Sequence, residues 1–279
     1  MCEAALDFQS ISKWDDAYNN VDFIPSGIDF PPKWQKLAQQ YRDTASCQLD
    51  IPYGSGEREV LDLFSPSSPA RGLMVFVHGG YWVRFNKSFW SHLSKGFNDA
   101  GWAVAMPSYS LCPDVSIADI SNQVCNAIAH AATMVDGPII LMGHSAGGHL
   151  VSSAVCTNTP LAKSITERVG QVVSISGVHD LRPLLNLSLN DSLKLTRETA
   201  QSLSPAMNSP LSNVKLTTLV GALERPEFLR QNALLANIWM GLGAATNTLE
   251  IPDKHHFNVI DFLCSRTSLV ESFIGNVSS

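Results

Sequence analysis

The sequence predicts an α/β fold, a mostly parallel sheet with helices on both faces. Three observations carry this. Short apolar runs alternate with segments of helical periodicity from about residue 73 to the C-terminus. One run, GLMVFVHGG at 72–80, is continuously apolar and ends in glycines, as a strand buried on both faces does. Another, PIILMG at 138–143, leads through a short turn into a helical segment. With right-handed crossovers, such alternation sets the carboxyl ends of the strands along one edge, where ligands bind.

The elements follow in order. Residues 1–45 are polar and aromatic, with Pro25, Pro31 and Pro32 as breakers, and read as an N-terminal arm with one helix near 32–43. CQLDIPYG and REVLDLF, separated by Gly54, Ser55 and Gly56, read as a hairpin. After the 72–80 strand the pattern gives a helix near 88–100, a strand at 102–109 and a helix at 116–134. The strand at 138–143, a helix from 146 to about 157 and a strand at 171–177 come next. Residues 180–212 break the alternation and read as a small cap over the sheet edge. A strand at 215–221, a helix at 226–241, a strand at 246–252 and a helix near 257–274 complete a single domain spanning 1–279.

Composition narrows the function classes. Nineteen Lys and Arg against 25 Asp and Glu leave a net charge of −6. That argues against nucleic acid and anionic membranes, which reward clustered cations. No apolar stretch reaches the roughly 18 residues needed to span a bilayer. The opening residues lack the basic and apolar regions of a secretory signal. The six cysteines are scattered without a CxxC pair, so they read as reduced thiols rather than a metal or redox site. A cytoplasmic location, a small-molecule acyl substrate, no cofactor and no metal are expected; a second copy of the chain is admitted as partner.

The chemistry sits in Gly143-His144-Ser145-Ala146-Gly147, a G-x-S-x-G pentapeptide between an apolar strand and a helix. This is the nucleophile elbow of the α/β-hydrolase fold. The turn is so sharp that side chains at the glycines would strike neighbouring backbone, and the serine is held strained with its hydroxyl exposed. Ser145 is therefore the candidate nucleophile. His78-Gly79-Gly80-Tyr81-Trp82 closes an earlier strand where this fold places its oxyanion loop. The expected donors are the N–H groups of Gly80, Tyr81 and Ala146, with Gly79 shaping the turn. Tyr81 and Trp82 are expected on the acyl-pocket wall, and His144, inside the elbow, is expected to line the site.

In this fold the acid and then the histidine follow the serine. His255 and His256 lie between the last strand and the last helix. His256, next to Phe257 and the apolar helix start, is preferred, and adjacency leaves His255 open. Glu224, just past the strand at 215–221, is the preferred acid, with Glu227 and Asp253 as alternatives. Glu227 falls where a helix N-terminus favours a carboxylate anyway.

HGGYW, GHSAGGHL, SYSLCP, EFLRQ, HHFNVID and the opening WDDAYNNVDFIPSG together resemble the kynurenine formamidases, or arylformamidases, of the hormone-sensitive-lipase-like branch of α/β hydrolases. The resemblance covers nearly the whole chain. It implies hydrolysis of N-formyl-kynurenine, a step of tryptophan catabolism, by a Ser–acid–His triad. The family acid is usually an Asp before an S-P-E-F-like stretch, and LERPEF puts Glu224 at that position. The family's His-Phe pair favours His256. Related enzymes with these motifs cleave short esters or thioesters, the alternative within the same chemistry. A non-catalytic ligand receptor on a hydrolase scaffold is the alternative of another class. Such receptors usually lose a triad member, whereas candidates for all three stand in this chain.

Overall fold

The computed structural model describes residues 11–277. Residues 1–10, with Cys2, and 278–279 lie outside the described residues. Among the described residues the arm carries three α-helices rather than one, α1 (Trp14–Tyr18), α2 (Asn20–Phe23) and α3 (Phe30–Arg42). Pro31 and Pro32 do not break α3. They occupy its first turn, where a missing N–H costs nothing.

The hairpin is β1 (Cys47–Pro52) and β2 (Val60–Phe64), paired antiparallel. Then come β3 (Leu73–Val77), α4 (Lys95–Asp99), β4 (Ala103–Pro107) and α5 (Ile117–Met134). These are followed by β5 (Ile139–His144), α6 (Ala146–Ser153), α7 (Lys163–Thr166) and β6 (Val169–Ile175). Next stand α8 (Asn190–Leu193), α9 (Arg197–Ser202), β7 (Lys215–Gly221), α10 (Pro226–Gly241), β8 (Ala245–Ile251) and α11 (Ser268–Gly275). The eight strands form one sheet in the order β1-β2-β4-β3-β5-β6-β7-β8. Pairing is antiparallel from β1 to β4 and parallel from there onward.

Alternation along each strand sorts side chains between two cores. Leu73, Val75, Val77, Ile139 and Leu141 join α5, α6 and α10 on one face. Met74, Phe76, Ile140 and Met142 join Trp34 of α3, Phe97 of α4 and Phe273 of α11 on the other. The helix expected near 88–100 is broken into 3-10 turns at Lys87–Phe89 and Ser91–Ser94 ahead of α4. Trp90, with φ −122° and ψ −1°, lies between the turns and packs on Trp34 with ring centroids 4.7 Å apart. The last helix is likewise divided, a 3-10 segment Val259–Cys264 ending before Thr267 caps α11. Among the described residues, no helix is long and apolar enough to cross a membrane.

Candidate active site

The elbow forms where β5 meets α6. Ser145 has φ 56° and ψ −117°, an unfavourable conformation for a residue with a side chain. The glycines make it possible. A Cβ on Gly143 would lie 2.2 Å from the Gly147 carbonyl oxygen, and one on Gly147 would lie 1.9 Å from that of Val77. The helix N-terminus behind Ser145 favours negative charge developing there. No described side chain hydrogen-bonds the Ser145 hydroxyl.

The loop after β3 faces the elbow. Gly79 is so close that a Cβ would stand 2.9 Å from that of Ser145. Gly80 has φ +120°, and its carbonyl accepts from the N–H groups of Val83 and Arg84, each at 3.1 Å. Tyr81 and Trp82 are also left-handed, with φ 53° and 59°. This tight turn leaves the N–H groups of Gly80 and Tyr81 without a protein acceptor among the described residues. Ala146 opens α6, where a backbone N–H has no partner within the helix. Trp82 departs from expectation. Its side chain is fully buried in the core, edge-on to His149 at 5.2 Å, and does not line the pocket. Tyr81, its neighbour in the turn, lines the pocket instead.

The candidate acid and base meet across 32 residues of sequence. His256 Nδ1 donates to Glu224 Oε2 at 2.6 Å. Glu224 is 5% exposed, and its other oxygen accepts from Ser176 Oγ at 2.5 Å and Gly221 N–H at 2.8 Å. A buried carboxyl group needs such hydrogen-bond partners to offset its loss of water. The competing residues are engaged elsewhere. Glu227 is held by Tyr18, Arg230 and Gln231. Asp253 is exposed. His255 packs edge-on to Phe30 at 5.3 Å, and its Nδ1 accepts from Phe257 N–H. His144 Nε2 donates to the His256 carbonyl at 2.9 Å, fixing the backbone of the candidate base. Burial holds the His144 pKa well below the usual histidine value, so it stays neutral.

Ser145, His256, His144, Gly79, Gly80 and Tyr81 line one pocket. Its remaining walls come from the arm (Tyr18, Asn19, Asn20, Val21, Pro31, Trp34) and from Arg84, Phe85, Trp90 and Phe257. The segment 180–212, expected as a cap, contributes no lining residue. It packs beside α6 and α10 instead, with the Leu203 carbonyl on His149 and the Trp239 indole on Pro205. The arm supplies the cover. Arg225 ties it down through Asp16 and the Asn19 carbonyl, Tyr18 bonds Glu227, and the Tyr81 hydroxyl donates to the Tyr18 carbonyl.

A family model described as BD-FAE matches residues 61–222, more than half of the chain. The chain belongs to the BD-FAE family. The matched stretch holds the elbow and the candidate oxyanion loop and stops short of Glu224 and His256, which the fold alone brings together. This BD-FAE member is 28% identical to the kynurenine formamidase of Salmo salar over 91% of this chain and 88% of that protein. It is 26% identical to that of Danio rerio, covering 98% and 96%. A crystal structure of a protein provisionally described as a thioesterase, from Silicibacter sp. TM1040, is 41% identical with a TM-score of 0.90, covering 96% of this chain and 99% of the other. The chain is thus an α/β hydrolase of a small substrate, and its resemblance to the kynurenine formamidases extends well beyond the quoted motifs.

Proposed function

We propose that this chain is a cytoplasmic serine hydrolase that cleaves N-formyl-kynurenine or a similar aryl formamide by two-step acyl transfer. One observation carries the reading: the buried Glu224–His256 pair and Ser145 serve the same aromatic-walled pocket. His256 Nε2 takes the Ser145 proton as Oγ adds to the formyl carbonyl. Glu224 holds the imidazole in the tautomer that leaves Nε2 free and stabilises the imidazolium. The oxyanion is received by the N–H groups of Gly80, Tyr81 and Ala146. His256 then protonates the departing aryl amine, and water, deprotonated by the same histidine, releases formate from Ser145. Tyr81, Trp34, Trp90 and Phe85 offer faces for an aryl leaving group. The cytoplasmic location is supported by five described cysteines that are all unpaired.

The 41% likeness to the protein described as a thioesterase favours a second reading, cleavage of a small thioester or ester by the same machinery. Purified protein assayed with N-formyl-kynurenine, p-nitrophenyl acetate and a short acyl thioester separates the two. The formamidase reading expects the highest kcat/KM on the formamide. Efficient ester or thioester cleavage with an untouched formamide replaces it by the second reading. Ser145→Ala is expected to abolish both turnover and labelling by a fluorophosphonate probe. Retained labelling removes Ser145 from its role.

A further inference from the structure

Among the described residues, Arg84 is the one Asp, Glu, Lys or Arg side chain lining the pocket. It is exposed, and no described residue hydrogen-bonds or ion-pairs its guanidinium. Its charge instead lies over two pocket-wall rings, 5.9 Å from the Tyr81 centroid and 5.9 Å from that of Phe85.

Its backbone is fixed. The Arg84 N–H closes the turn onto the Gly80 carbonyl, and a Cβ on Gly80 would lie 2.3 Å from the Arg84 carbonyl oxygen. Beyond it, Arg58 clamps the turn by donating to the Phe85 and Tyr109 carbonyls at 2.5 and 2.8 Å. Arg84 therefore rides on the same rigid turn that presents the candidate oxyanion donors. A guanidinium without a carboxylate partner, set over aromatic faces, suits an anion carried on an apolar body.

We propose that Arg84 is a specificity-determining residue, selecting substrates with an aromatic body and a carboxylate remote from the scissile carbonyl. This deepens the preceding reading and borrows from it only the placing of that carbonyl at Ser145. The arrangement disfavours cationic and long neutral acyl compounds, because the pocket offers no carboxylate and its charged rim would be desolvated without compensation.

The test is binding, read by quenching of the tryptophans that line the pocket, Trp34 and Trp90. The probes are 3-phenylpropionate and its neutral amide, titrated into the purified full chain and its variants. The native protein is expected to bind the carboxylate about tenfold more tightly than the amide, as a charge-assisted fork allows. Arg84→Ala is expected to erase the difference, Arg84→Lys to keep part of it, and added salt to shrink it. A native protein without a carboxylate preference, weak binding of both probes included, overturns the proposal. So does a preference that survives Arg84→Ala. N-formyl-kynurenine turnover is measured separately. A carboxylate preference that depends on Arg84 in a protein inert toward the formamide rejects the formamidase reading and leaves this one standing. Formamide turnover without a carboxylate preference does the reverse.

Discussion

At the scale of residues, the candidate acid is where the chain is most informative. A glutamate stands where the kynurenine formamidases usually carry an aspartate, and its longer side chain reaches His256 at 2.6 Å while still collecting Ser176 and Gly221. In the proposed mechanism, loss of the carboxylate removes the group that selects the tautomer, whereas loss of Ser176 removes one of several donors. Glu224→Gln is therefore expected to lower kcat on the order of 10³-fold or more. Ser176→Ala is expected to cost only about fivefold, the size of one hydrogen bond. Steady-state kinetics of both variants check this, and equal losses would show that Ser176 does more than hold Glu224. The candidate nucleophile Ser145 and the candidate oxyanion loop stand out in the sequence because each is a local pattern with a local mechanical cause. His256 and Glu224 are legible by chain order and by resemblance. Ser176 is not, because a lone serine after a strand carries no mark of a contact 48 residues away.

At the scale of elements, the arm is what sequence reading places least well. The alternation of strands and helices follows from hydrophobic period, and the sheet appears as that period predicts. Nothing in the period says that residues 14–34 close the pocket while 180–212 pack to one side. The arm's first helices span five and four residues, too short to persist unaided. They are held by Arg225 and by Tyr18, while α3 is held by the aromatic cluster of Phe30, Trp34, Phe85, Trp90 and Phe257. Arg225→Ala is expected to loosen α1 and α2 and to raise KM more than it lowers kcat, since the triad candidates lie on other elements. Trp34→Ala empties a 3% exposed site and is expected to cost about 3–5 kcal/mol. Urea denaturation reads the second, and Michaelis kinetics with limited proteolysis near residues 13–24 read the first. An Arg225→Ala protein with native KM would mean that the arm is held without it.

At the scale of the whole molecule, the buried histidines set how the fold responds to acid. His78, His92 and His149 are pushed down to about 4 and His179 to about 3, in each case chiefly by burial. The geometry explains why. His78 Nδ1 donates to the Gly79 carbonyl and His149 Nε2 to the Leu203 carbonyl, while the other ring nitrogen of each is buried without a partner. Nδ1 of His92, His144 and His179 is likewise buried and unpartnered. A proton added there creates a buried charge with nothing to receive it. In the unfolded chain the same rings titrate near 6.5. Between that value and about 4 the unfolded state binds more protons than the folded state, so stability rises with pH across this window and is lost as pH falls through it. Asp180, whose carboxyl is held low by Arg182, loses its contribution further down in the same direction. Asp261, raised by burial, works the other way and offsets a small part. Above about pH 7 these histidines are neutral in both states and exert no pull. The urea midpoint is therefore expected to be flat from pH 7 to 8 and to fall steeply between pH 6.5 and 5, with each histidine contributing up to about 1.4 kcal/mol per pH unit. Replacing His149 by Gln, which keeps a donor for the Leu203 carbonyl and cannot charge, is expected to flatten that fall. An unchanged slope in the variant would place the acid sensitivity in other groups.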